Sequence, residues 1–124
     1  MKRSRRKHDT WAPKAMSELR AVTILRYGHR CWRCGKDLPL ELHHNAKRGG
    51  AGRYNERTTI MLCHECHVFA GQCDTLWQEE VRQRDPVFYD YCQAIRHRVL
   101  TEKPDPKAEY ERLHAIGVRL EREW

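Results

Sequence analysis

Two Cys-x-x-Cys pairs, Cys31-Trp-Arg-Cys34 and Cys63-His-Glu-Cys66, stand 28 residues apart in this chain. The doublet His43-His44 lies between them, and His67 follows the second pair directly. Four thiolates can close a tetrahedral zinc site and leave no open position. The intervening segment must then fold back on itself, so that its two ends meet at one point. Three histidines remain beside that point. Imidazole suits a hydrolytic metal or a general base near neutral pH, and a purely structural zinc module has no need of it.

The rest of the composition agrees with such a staple. A chain of 124 residues is one domain by the usual prior, with a small core that a bound metal helps to fold. Six cysteines could indicate a secreted disulfide scaffold. CxxC pairs with no signal peptide read instead as metal ligands in a reducing, cytoplasmic compartment. The opening Met1-Lys-Arg-Ser-Arg-Arg-Lys resembles the basic start of a signal peptide, but Asp9, Lys14 and Glu18 after it interrupt any apolar stretch. No run approaches a membrane span. The formal charge of +7 is unevenly placed: residues 1–53 hold 14 Lys/Arg against 4 Asp/Glu, residues 54–124 hold 10 against 13. Positive potential on the half with the His doublet fits a polyanion such as nucleic acid.

Patterning divides the chain into a basic flexible arm (1–12), a core holding the motifs (13–72) and a helical extension (73–124). Residues 13–27 read as a helix bounded by Pro13 and Gly28, with Ala15, Leu19 and Val22 on one face. Residues 37–44 and 57–62 read as short strands. Between them lies a loop with Gly49, Gly50 and Gly52 and the cations Lys47, Arg48 and Arg53. A helix beginning near Cys63 carries His67. Residues 74–84 and 86–100 read as helices broken at Asp85-Pro86, residues 101–106 as a linker, and 107–124 as an amphipathic helix suited to self-association or docking. The expected fold class is α+β.

Strand, loop, strand and helix, with CxxC at both ends and His-His closing the first strand, resembles the HNH endonuclease family. Cys31, Cys34, Glu41-Leu-His43-His44, Gly49-Gly50 and Leu62-Cys63-His-Glu-Cys66-His67 carry the match, over about the middle third of the chain. The resemblance implies a small ββα-metal (His-Me finger) domain with a four-cysteine zinc site, flanked by an N-terminal helix and a C-terminal helical extension. The first helix also looks like small phage-type members. In the family the second His of the doublet is the general base, which here is His44. The first His and the one after the last CxxC bind Mg2+ or another divalent ion, which here are His43 and His67. Structural Zn2+ would be held by Cys31, Cys34, Cys63 and Cys66. The implied activity is phosphodiester hydrolysis of DNA by His-activated water, leaving 5′-phosphate and 3′-hydroxyl ends, alone or within a larger phage or host DNA-processing complex.

The chain departs from the family in the middle Asn, which usually stands about five residues before the third Cys. Thr58 occupies that place, and the nearest Asn is Asn55. Either Asn55 reaches the site or the Thr58 hydroxyl replaces it, and Asn55 is the reading adopted. Asn45 replaces the Pro that often follows the doublet. Lys47, Arg48 and Arg53 are the candidate phosphate contacts. His64, one turn before His67, could face the same metal or a phosphate. Trp32 is expected to pack on the first helix, and Cys73 and Cys92 to be small buried hydrophobes. A reading from another class is a non-catalytic zinc-dependent nucleic-acid-binding module or an accessory subunit. It accounts for the cysteines and the charge but leaves the three histidines without a task.

Overall fold

Helix α1 (Trp11–Tyr27) stops where Gly28 turns to φ 83°, a backbone that favours glycine, and the Gly28 N–H closes on the Ile24 carbonyl at 2.7 Å. A computed structural model describes residues 10–46, 50–98 and 103–123 of the chain. After α1 come β1 (Leu40–His44), β2 (Thr59–Cys63), α2 (His64–Gln72), α3 (Asp74–Arg84), α4 (Pro86–Arg96) and α5 (Pro106–Arg122). The architecture is α+β, with five helices around a two-stranded antiparallel sheet. Its register pairs Leu40 with Cys63, Leu42 with Met61 and His44 with Thr59. None of the described helices is long and apolar enough to cross a membrane.

Every residue of β2 is buried, so both faces of this strand are covered. On one side α1 and α5 pack together, burying Ala15, Leu19, Val22, Tyr54 and Leu113, with Leu42 against them. The hydroxyls of Thr23 and Thr59 meet at 2.8 Å across the α1–β2 contact, which leaves neither buried oxygen unsatisfied. On the other side Ile60 and Leu62 join Trp77 and Val81 of α3 and Phe88, Cys92 and Ile95 of α4. The segment beyond residue 72 therefore supplies much of the core on which the motif-bearing strands rest.

Several elements differ from the sequence reading, each for a local reason. β1 starts at Leu40 rather than Asp37: Pro39 has no N–H to give a ladder, and Leu38 is 45 % exposed. β2 starts at Thr59 because Glu56–Thr58 winds into a 3-10 turn, capped by the Asn55 side chain accepting from the Arg57 N–H at 2.9 Å. α4 ends at Arg96, with residues 99–102 outside the described range. The break before it holds, and the Asp85 carboxylate caps α4 through the Phe88 N–H at 3.1 Å. Trp32 packs not on α1 but edge-on to Trp77 at 5.8 Å and beside Phe88 at 6.2 Å, with Arg84 above its ring. Cys92 is fully buried as expected, and Cys73 is half-buried. The basic arm up to residue 9 lies outside the described residues.

Leu113 is the fully buried anchor of α5. Truncating such a side chain costs about 2–5 kcal/mol through lost transfer energy and a residual cavity. Leu113→Ala is expected to lower the urea midpoint of the whole chain at unchanged m-value. An unmoved midpoint would show that α5 unfolds apart from the core.

Candidate metal centre and histidine cleft

The first CxxC forms a tight turn after α1. Gly35 closes it with φ 74°, donating its N–H to the Cys31 carbonyl at 2.8 Å, and the Cys31 N–H reaches the Lys36 carbonyl at 3.2 Å. The Trp32 N–H donates to the Met61 carbonyl at 2.9 Å, which sews the turn to β2. The second CxxC spans the end of β2 and the first turn of α2. Together these bring one sulfur each of Cys31, Cys34, Cys63 and Cys66 within 4.8 Å of one another, and Cys34 Sγ lies 3.9 Å from Cys63 Sγ. A tetrahedron of sulfurs at about 2.3 Å from zinc has edges of about 3.8 Å. The four cysteines are thus positioned to hold a metal ion such as zinc.

The surroundings already favour thiolates at part of this cage. Burial opposes ionisation of Cys31, but backbone N–H groups of Cys34, Cys63 and Arg33 outweigh it and draw its thiol below the ordinary range. Burial pushes the Cys66 thiol up, and a bound cation would reverse that sign, because a coordinating thiol is deprotonated outright. Arg33 donates to Cys66 Sγ at 3.6 Å while its guanidinium is held by the Glu80 carboxylate at 2.8 and 3.2 Å. None of the described cysteines forms a disulfide.

His43, His44 and His67 line one cleft of about 340 Å3 with Met16 and Leu42. Alternation along β1 puts Glu41 and His43 on the sheet face that α2 covers, and Leu42 and His44 toward α1. The cleft opens at the end of the strand, where the two faces meet. Beyond the last strand pair the Asn45 N–H continues the ladder onto the Thr58 carbonyl at 2.9 Å. His67 is set by α2: its Nδ1 meets Glu41 Oε1 at 2.7 Å, and His64 Nδ1 meets the other oxygen at 2.9 Å. Hydrogen bonds from His67 and then His64 hold the Glu41 carboxyl below its ordinary range. His64, its side chain 78 % exposed, is not among the residues that line the cleft.

His43 is the most enclosed of the three. Its ring stands edge-on to His67 at 5.3 Å and to Trp77 at 5.6 Å, and its Nε2 lies 3.1 Å from Asn45 Oδ1. Burial pushes its pKa down to about 4, so the imidazole is neutral at pH 7. His44 Nε2 donates to the Arg53 carbonyl at 3.3 Å.

Asn55 is not brought into this cleft. Its amide caps Arg57 and donates to the Tyr91 hydroxyl at 2.9 Å, in a separate cleft shared with Arg112. The Thr58 hydroxyl turns to the Asn55 carbonyl at 3.1 Å, and its main-chain carbonyl accepts from the N–H of Asn45, the residue after the doublet. Arg53 is exposed on the loop beside His44. Lys47 and Arg48 lie outside the described residues. Asn45, Trp77 and Gln78 were not singled out for the site by sequence reasoning. The one available signal was Asn45, a hydrogen-bonding residue where the resembling family often has Pro. Comparison with protein-family models, curated proteins and solved structures finds no match.

Elemental analysis of the purified chain is expected to give about one zinc per molecule. Cys63→Ser should lose both the metal and the cooperative thermal transition. A variant that retains the full zinc content would show that the cage is not the metal site.

Proposed function

We propose that this chain is an endonuclease of the HNH type, a ββα-metal unit that hydrolyses phosphodiester bonds in DNA. The observation that carries the reading is the convergence of His43, His44 and His67 on one cleft beside a four-cysteine cage. The donor set suits a divalent cation: His43 is neutral at pH 7, and His67 gives its Nδ1 to Glu41, which leaves Nε2 as its ligand atom. Paired carboxylate and histidine of this kind orient a metal-binding ring and raise its basicity. His43 and His67 would hold such a divalent ion, which would supply charge for the leaving 3′-oxygen and orient the phosphate.

The chain's own part is proton transfer and positioning. His44, pinned through Nε2 by the Arg53 carbonyl, takes a proton from the attacking water at Nδ1. The same carbonyl then faces the positive imidazolium and stabilises it. Water attacks phosphorus as the P–O3′ bond breaks, and the departing 3′-oxygen takes a proton from solvent, so the products carry 5′-phosphate and 3′-hydroxyl. Arg53, with Lys47 and Arg48 on the same loop, supplies cations for the DNA backbone, contacts that add affinity and salt dependence without choosing sequence. Asn55 serves this scheme through the turn it caps before β2, whose Thr58 carbonyl holds Asn45.

Plasmid nicking in Mg2+ or Mn2+ tests the reading. General-base removal typically costs about 10²–10⁴-fold, so His44→Ala should slow nicking by that factor while DNA retention on a gel is unchanged. A wild-type chain that binds DNA yet cuts it under no divalent ion would leave the non-catalytic binding module as the function.

A further inference from the structure

We propose that Asn45, oriented by Trp77 and Gln78, is a positioning residue that fixes His43 in a single neutral tautomer, with the proton on Nε2 and the lone pair on Nδ1. The inference deepens the nuclease reading and rests on it in one respect, that His43 turns its unprotonated nitrogen to the divalent ion.

The argument begins at Trp77, which is fully buried and whose indole N–H can only donate. That N–H lies 2.8 Å from Asn45 Oδ1. Turning the Asn45 amide over would set N–H against N–H in a dry site, at the cost of unsatisfied buried donors, about 1–3 kcal/mol each. Trp77 therefore favours one choice of which amide atom is oxygen, and the Asp74 carboxylate, accepting from Gln78 Nε2 at 3.3 Å, holds the pair the same way round. Gln78 closes the pair from the other side: its Nε2 donates to the same oxygen at 3.0 Å, and its Oε1 accepts from Asn45 Nδ2 at 3.3 Å. Asn45 is 3 % exposed and Gln78 9 %, so water competes for neither.

His43 Nε2 lies 3.1 Å from this oxygen. An oxygen whose identity is settled by a donor-only indole can be met only by a nitrogen carrying a proton. A neutral imidazole has one proton, so Nδ1 keeps the lone pair. The ring is clamped as well as protonated in one place, with Trp77 and His67 edge-on to it. The two rings then keep different unprotonated nitrogens, Nδ1 on His43 and Nε2 on His67, each selected by a partner on its opposite ring atom: an amide for the first, the Glu41 carboxylate for the second.

Long-range 1H–15N correlation spectra of the zinc-loaded full chain at neutral pH, with and without added Mn2+, read the tautomer directly. Wild type should show His43 protonated on Nε2 alone, and Mn2+ should broaden its Nδ1 first. Trp77→Phe combined with Asp74→Asn keeps both shapes but removes the donor-only and the acceptor-only partner; the amide pair can then turn over together, and a second His43 species protonated on Nδ1 should appear. Its Mn2+ dissociation constant should rise about 10–100-fold, the usual cost of losing an outer partner. Asn45→Asp, which can only accept, should keep the wild-type tautomer. A wild-type His43 protonated on Nδ1 overturns the proposal, even should the double variant fail to fold. So does a folded double variant with an unchanged tautomer. If the tautomer pattern holds while Mn2+ broadens neither His43 nor His67, the lock is supported and the nuclease reading fails instead.

Discussion

Everything in the functional region depends on the meeting of two short turns at four sulfurs. One turn follows α1 and the other opens α2, and the thiols of Cys31, Cys34, Cys63 and Cys66 gather within 4.8 Å. Between them lie β1, a glycine-bearing loop and β2. A two-stranded sheet is marginal by itself in water, and here both of its ends must be held. The cage holds one end, where Leu40 pairs with Cys63. The Thr58 carbonyl and the Asn45 side-chain pair hold the other. His43 and His44 stand at that far end, about four residues of strand from the sulfurs.

The cage therefore governs the histidines unequally. His67 follows Cys66 directly and rides on the same helical turn, so its position is a nearly immediate consequence of where the sulfurs are. His43 belongs to the opposite strand, and its ring is set by α3 through Asn45, Trp77 and Gln78. A cluster of buried amides and an indole is costly to a small core unless every polar atom is paired. Among the described residues no buried side-chain nitrogen or oxygen lacks a hydrogen-bond partner, so the cluster is satisfied, and it can specify one arrangement of rings.

This division explains what was legible in the sequence. The cysteines could be read because their pairing is written in local spacing, and α1, α3 and the Asp85-Pro86 break because helices carry their own period and stop signals. His43, His44 and His67 do line one cleft, as the order of motifs along a hairpin and a following helix implies. Trp32 was misplaced because an aromatic in a turn carries no local record of which helix will cover it; the partners Trp77 and Phe88 lie more than forty residues away. The Asn45–Trp77 pair was invisible for the same reason. Asn55 attracted attention by residue type alone, while its backbone turn, not its proximity to the histidines, is what the fold uses.

A last consequence concerns the segment beyond residue 72, which resembles nothing in its sequence and yet supplies Trp77 and Gln78. In a hairpin with one covered face, β1 would show its second face to water, and His43 would be a solvated ring free to exchange its proton between two nitrogens. Trp77 of α3, edge-on to the His43 ring at 5.6 Å, covers the end of that face beside α2 and sets donors and acceptors of fixed direction there. The same burial that pushes the His43 pKa down to about 4 also favours the buried Asn45 oxygen as the partner of Nε2. The helical extension is in this sense part of the site: it converts a histidine that any short strand could present into one whose orientation and proton are both prescribed.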